Sequence, residues 1–155
     1  MKILKKIKPH KVDLLVFGLK KGESNYSAQA KDLAFQLSFD PKSHSYQIRE
    51  RGQIIHRSNI YFNSFLLRAF DFDQPMITIG DCVTIDAYKG QGIYPWVITE
   101  IVKEHLLKSH IYMLVSPQNI PSIKGIQKAG LRKLARIRCL KIGPVYLGKK
   151  LELFD

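Results

Sequence analysis

Met76 to Val102 reads in one direction as strand, glycine turn and helix, and this segment restricts the fold of the 155-residue chain more than any other. "MITIGDCVTI" is rich in β-branched residues and reads as a strand. Gly80 in its middle marks a bulge or a close backbone approach. "YKGQGIYP" then sets Gly90 and Gly92 before a proline-led helix. Pro95 is assigned to the first helical position, where a missing N–H has no consequence. Val97, Ile98, Ile101, Val102 and Leu106 follow at helical spacing and form a stripe for burial.

The flanking segments extend this pattern. "VDLLVFGL" reads as a first strand and not as a targeting segment, because Asp13 interrupts the apolar run and Lys20, Lys21 and Glu23 follow it. "NYSAQAKDLAFQL" places Tyr26, Ala30, Leu33, Ala34 and Leu37 on one face of a helix capped by Ser24 or Asn25. "HSYQIRERGQIIHRSNIYF" reads as a hairpin turning near Glu50–Gly52. "IYMLV" is a short buried strand, and "PSIKGIQKAG" is a short helix ended by Gly130. "ARIRCLKIG" and "VYLGKKLELF" read as closing strands joined at Gly143–Pro144. The expected order is β-α-β-β-β-α-β-α-β-β. That is a mixed α/β fold with helices covering a central sheet, in one domain over residues 1–155.

Charge narrows the partners. The net charge is +12, and the first 21 residues carry seven lysines and one acid, Asp13. No acidic residue lies between Glu104 and Glu152, an interval that holds Lys124, Lys128, Arg132, Lys133, Arg136 and Arg138 among others. Such a field attracts polyanions: nucleic acid, a membrane surface or a phosphate-rich cofactor. A solvated basic face explains the charge alone equally well. The chain has no helix-turn-helix pattern and no interleaved aromatic RNA signature, which sets nucleic acid behind. No apolar run is long enough to span a membrane. Two cysteines, Cys82 and Cys139, make neither a disulfide framework nor a zinc site, so a reducing cytoplasm is the default and no metal is expected. His105 and His110, five apart, do not share a helix face.

A glycine loop leading into a helix N-terminus is a physical anion site. Glycines let backbone N–H groups converge, and the helix dipole adds positive charge at the same point. The N–H groups from Gly90 to Tyr94 then face a phosphate, with Lys89 and Gln91 as side-chain donors. A P-loop is excluded because no Lys-Ser/Thr pair follows Gly92. A dinucleotide fingerprint is excluded because Pro95 stands where its third glycine belongs. A plain strand-to-helix turn also fits "GQG" taken alone.

The wider context resembles the GCN5-related N-acetyltransferase (GNAT) superfamily. Lys89-Gly90-Gln91-Gly92-Ile93-Tyr94 is similar to its acyl-CoA loop, Gln/Arg-x-x-Gly-x-Gly/Ala. Lys89 replaces the usual Arg or Gln, and Tyr94 replaces a small residue. "NIPSIKGIQKAGL" resembles the family's later motif, Asn-x-x-Ala/Ser-x-x-x-Tyr-x-x-x-Gly-Phe. Asn119, Ser122, Lys128, Gly130 and Leu131 fall in register with it. The likeness runs from Met76 to Leu131.

The resemblance implies acetyl-CoA as co-substrate, lying in a V-shaped gap between two strands, and a primary amine as acceptor. It implies that the backbone of Cys82, Val83 and Thr84 pairs with the pantetheine arm. Lys89, Gly90, Gln91, Gly92, Ile93 and Tyr94 would hold the pyrophosphate. Asn119 would serve the pantetheine or the thioester end, Ser122 would sit near the CoA sulfur or along its phosphate path, and Lys124 and Lys128 would face the ribose 3′-phosphate. The bulge at Gly80–Cys82 would offer a free N–H to the carbonyl. Asp81 is the first candidate for the base, against the alternative of an exposed turn-capping carboxylate; Glu50 and His56 come after it. The family's acidic tyrosine falls at Ile126, which leaves Ser122, Tyr88, Tyr112 or water as donors, or a CoA-binding relative without catalysis. Tyr61, Phe62, Phe65 and Phe70 form an aromatic cluster, a pattern that usually marks core, but the resemblance puts it beside the acceptor cleft, where part of it could shape the amine pocket; Trp96 is read as packing. "IGDCVT…YKGQGIYP…SIKGIQKAG" is similar to small bacterial acetyltransferases of surface polysaccharide assembly, which adds amino sugars to the possible acceptors. Monomer and homodimer are both compatible with this reading.

Overall fold

A computed structural model describes residues 7–155; Lys2, Lys5 and Lys6 of the basic start lie outside them. The described residues form one eight-stranded mixed sheet with three α-helices. In chain order these are β1 (His10–Leu19), β2 (Leu37–Asp40), β3 (Ser45–Glu50), β4 (Gln53–Phe62), α1 (Phe65–Ala69), β5 (Met76–Thr84), α2 (Ile93–His105), β6 (His110–Val115), α3 (Ile120–Lys128), β7 (Arg132–Ile142) and β8 (Val145–Leu153). A 3-10 turn at Asp86–Tyr88 links β5 to α2.

The sheet order is β2-β3-β4-β5-β6-β1-β7-β8. β5 and β6 are parallel, and every other neighbouring pair is antiparallel. β1 is therefore an interior strand between β6 and β7. Its apolar run explains the place: Leu15, Phe17 and Leu19 enter the core under α2 and α3, while Val16 enters the core on the opposite face. A strand buried on both faces needs a continuous hydrophobic run.

α2 lies across one face, and Val97, Ile98, Ile101 and Val102 are fully buried there. Each contributes roughly 1.5–3 kcal/mol by leaving water. Leu106 is also buried, one residue past the helix end. Trp96 packs in the same core, in agreement with its sequence reading. The short α1 covers part of the other face through Leu67, with Phe70 beside it.

Three expectations are corrected. Residues 26–36 form no helix. They carry no regular element, and Leu33, Phe35 and Leu37 pack on the core at every second position, a strand-like spacing. The segment is fixed at its start by tertiary bonds: the Tyr26 hydroxyl donates to the Ala129 carbonyl (2.7 Å) and the Gln29 N–H to the Lys128 carbonyl (2.8 Å). A short helix has little stability of its own, so tertiary anchoring decides. The order therefore opens with four strands, and α1 is an element the sequence pattern did not separate. Pro95 is the third helical residue and not the first, because Gly92 is the N-cap. Its missing N–H still falls among the first four, which have no helical partner.

Candidate active site

β5 and β6 pair only at Met76–His110, Ile77–Ile111 and Thr78–Tyr112, although β5 runs on to Thr84 and β6 to Val115. Past Thr78 the strands part. A bulge on β5 accompanies the separation. Arg57 faces Val83 and Asn59 faces Gly80, so Asp81 and Cys82 together oppose Ser58. Asp81 has φ 48°, a left-handed conformation that Asp tolerates better than most residues. An extra residue of this kind leaves the ladder locally open. The expected bulge at Gly80–Cys82 is present.

The gap holds a cavity of about 210 Å³ lined by Asp81, Cys82, Tyr94, Met113, Asn119 and Ser122 among others. At its α2 end lies a second cavity of about 340 Å³, between the glycine loop and α3. Gly90 and Gly92 line it with φ 78° and 80°, backbone that a side chain adopts only with strain. Lys89, Lys124 and Lys128 supply its positive charge, and the N-terminus of α2 opens onto it. Lys89 also pairs with Asp86 at 2.8 Å. At the other end of the gap, Gly80 and Asp81 border a third cavity of about 440 Å³ with Tyr61, Phe62, Phe65 and Thr78.

Most of the sequence-derived site residues converge here. Asp81 touches both the gap and the third cavity, and its carboxylate accepts from the Tyr61 hydroxyl. That bond is the main reason the Tyr61 pKa is raised. Asn119 lines the gap and also caps α3, its side chain accepting from the Ser122 N–H at 3.3 Å. Ser122 lines the gap. Thr84, Ile93 and Tyr94 line the cradle, whereas Gln91 and Val83 line neither cavity.

The weaker candidates separate from the gap. Glu50 ends β3 at the hairpin turn and lines none of the three cavities. His56 is buried, with Nδ1 2.7 Å from Thr84 Oγ1 and Nε2 2.8 Å from Ser58 Oγ. Burial pushes its pKa down to about 4, so it stays neutral near pH 7. Ser58 Oγ in turn donates to Cys82 Sγ at 3.1 Å, and burial pushes the Cys82 thiol up to about 11. Tyr112 bonds the Asp73 carbonyl on the other face, and Tyr88 lines the cradle. His105 contacts the Tyr46 hydroxyl and His110 the Lys21 N–H. Among the described residues no cluster of His, Cys, Asp or Glu could hold a metal ion, and no helix is long and apolar enough to cross a membrane.

The sequence reading missed one feature of the gap. Ile126, at the family's tyrosine position, is buried in the core, but the Tyr94 side chain reaches the gap from the first turn of α2. Burial, the largest effect, raises the Tyr94 pKa; Cys82 adds to the rise and Ser122 partly offsets it. Gly125 inside α3 was the available signal. A helix-interior glycine costs about 1 kcal/mol relative to alanine, so it needs a packing reason.

No family model matches the chain, and no curated protein matches it. Among solved structures, an acetyltransferase of the GNAT family from Colwellia psychrerythraea superposes with a TM-score of 0.57 at 13% identity. The match covers 88% of this chain and 57% of that one. The likeness establishes the fold: a GNAT-type mixed sheet whose parallel central strands splay apart.

Proposed function

We propose that the chain is an acyl-CoA-dependent N-acyltransferase, with acetyl-CoA as donor and a primary amine as acceptor. The observation that carries this reading is the alignment of three cavities along one fork. A basic, glycine-lined cradle lies at one end, an open strand edge in the middle, and a cavity bearing a carboxylate at the other. The residues present fit the donor. Gly90, Gly92 and the α2 N-terminus suit a pyrophosphate, Lys124 and Lys128 a further phosphate, and the unpaired stretch of β5 an extended amide-bearing arm. When bound, the thioester supplies an activated acyl carbon.

The protein groups then have separate tasks. Asp81, directly or through a water, takes the proton that the ammonium must lose before its lone pair can attack. The bulge at Asp81–Cys82 offers a backbone N–H to the carbonyl oxygen as charge develops there. As the C–N bond forms and the C–S bond breaks, Tyr94, a phenol that is neutral near pH 7 and whose pKa burial raises further, donates a hydrogen bond to the departing sulfur. Tyr94 thus stands in for the tyrosine that Ile126 replaces. His56 is excluded from the base role because both its ring nitrogens are occupied within the core.

A CoA-release assay over an amine panel, with wild type beside Asp81→Asn, tests the proposal. Thiol release that depends on an amine and falls in the variant supports it. Donor binding with no release for any amine would instead identify a non-catalytic acyl-CoA-binding relative.

A further inference from the structure

We propose that the acceptor is a small monocationic amine with an aromatic or apolar body and a polar tip, lacking phosphate and carboxylate. This rests on the acyltransferase reading for its chemistry and on the third cavity for its recognition.

The cavity is an electrostatic exception. In a chain of net charge +12, Asp81 is the only charged residue lining it among the described residues. The cradle at the other end of the fork is lined by three lysines, of which Lys89 is paired with Asp86 and Lys124 and Lys128 have no acidic partner among the described residues. The two ends of one channel are thus sorted by sign. A polyanion is drawn to the cradle, and a cation to the cavity. An acceptor with its own phosphate or carboxylate would meet the Asp81 carboxylate with no lysine or arginine in the cavity wall among the described residues; Arg57 acts on the Tyr61 hydroxyl from outside that wall. This favours simple amines over amino acids, sugar phosphates and nucleotide-carried sugars.

The walls define the body of the ligand. Tyr61, Phe62 and Phe65 are 42%, 56% and 77% exposed, an aromatic rim beside the carboxylate. Aromatic faces next to an anion are suited to an ammonium. Tyr61 donates to Asp81 and so fixes the carboxylate at the rim. Leu114 adds apolar wall.

The floor supplies the last element. Thr78, where β5 and β6 part, is 7% exposed and lines the cavity. Its Oγ1 has no hydrogen-bond partner among the described residues. A buried hydroxyl of this kind costs free energy unless something satisfies it. A ligand hydroxyl does so, and a ligand without one leaves it orphaned. Sites built to bond a substrate hydroxyl discriminate strongly against the analogue that lacks it.

Calorimetric titration of the full chain, with and without CoA, tests this with four compounds. Tyramine carries the cation, ring and hydroxyl; 2-phenylethylamine lacks the hydroxyl; tyrosine adds a carboxylate; glucosamine 6-phosphate adds a phosphate. Tyramine is expected to bind at least ~10-fold tighter than tyrosine and glucosamine 6-phosphate, an advantage lost in Asp81→Asn. Its advantage over 2-phenylethylamine, expected at ~5-fold or more, collapses to about one in Thr78→Val. That ratio is taken within one protein, so a loss of folded fraction cancels. Equal or tighter binding of tyrosine or glucosamine 6-phosphate, tyramine affinity unchanged by Asp81→Asn, or failure of every amine to bind overturns the proposal. Tyramine binding by a protein that binds no acetyl-CoA would uphold the cavity's selectivity while refuting the acyltransferase reading.

Discussion

A Cβ placed on Gly125 would lie 2.5 Å from Cδ1 of Tyr94. The ring from the first turn of α2 therefore rests directly on the backbone of α3, and Gly125 is what makes room for it. This contact brings a phenol into the fork. Tyr94→Phe keeps the ring and removes the donor. The expected effect is a ~10- to 100-fold loss of kcat with little change in KM for acetyl-CoA, at the low end for acid catalysis because a thiolate leaves readily. Gly125→Ala displaces the ring and should lower kcat comparably while Tyr94 remains in the sequence. Steady-state kinetics on both variants check this; unchanged kcat in Tyr94→Phe removes the role.

The segment before β2 gives a stability prediction. A Cβ on Gly130 would meet the Ser27 carbonyl oxygen at 2.3 Å, and Gly130 has φ 87°. Gly90 has φ 78° but nothing within 4 Å of such a Cβ. Gly90→Ala should cost about 1 kcal/mol from backbone strain alone. Gly130→Ala should cost at least ~3 kcal/mol, because the strain adds to a backbone collision that detaches the segment. Urea unfolding of the two variants compares them directly.

His56 sets a pH dependence whose sign is fixed by its burial. Its folded pKa, about 4, lies below the ordinary 6.5, so the unfolded chain binds a proton first as pH falls. The contribution is full above pH 6.5 and is lost as the pH falls from 6.5 to about 4, amounting to roughly 3 kcal/mol in total. His105, also lowered by burial, adds in the same direction. His56→Gln, which cannot titrate, should flatten the fall in melting temperature between pH 6.5 and 4.5. An unchanged slope would contradict the neutral buried imidazole.

The contrast between two segments shows what could be read from residues alone. β5, the glycine loop and α2 were legible because local rules agree there: β-branched residues, a bulge glycine, two glycines at positive φ and a helical apolar stripe all favour one conformation. Residues 26–36 were not, because Leu33 and Leu37 suit a helical face as well as a strand-like spacing, and the deciding contacts come from Lys128 and Ala129, about 100 residues away. The interior position of β1 likewise depends on pairing with β6 and β7 from the far end of the chain. At the candidate site, Asn119 and Ser122 were singled out by the later motif and Asp81 by its place at the expected bulge, and all three line the gap. Tyr94 was assigned to the phosphate alone, because its entry into the gap depends on a glycine in a different helix. Thr78 gave no signal, since an orphaned hydroxyl is a property of the packed structure.

The central claim is that the fork between β5 and β6 binds acyl-CoA with the phosphates at the glycine cradle. Isothermal titration with acetyl-CoA, on wild type and on a Lys124→Glu/Lys128→Glu variant, addresses it most directly. The account predicts one site per chain in the wild type and at least ~10-fold weaker binding in the variant, from losing two cations and placing two anions beside the cradle. No heat of binding at millimolar acetyl-CoA, or an affinity untouched by the charge reversal, would contradict it.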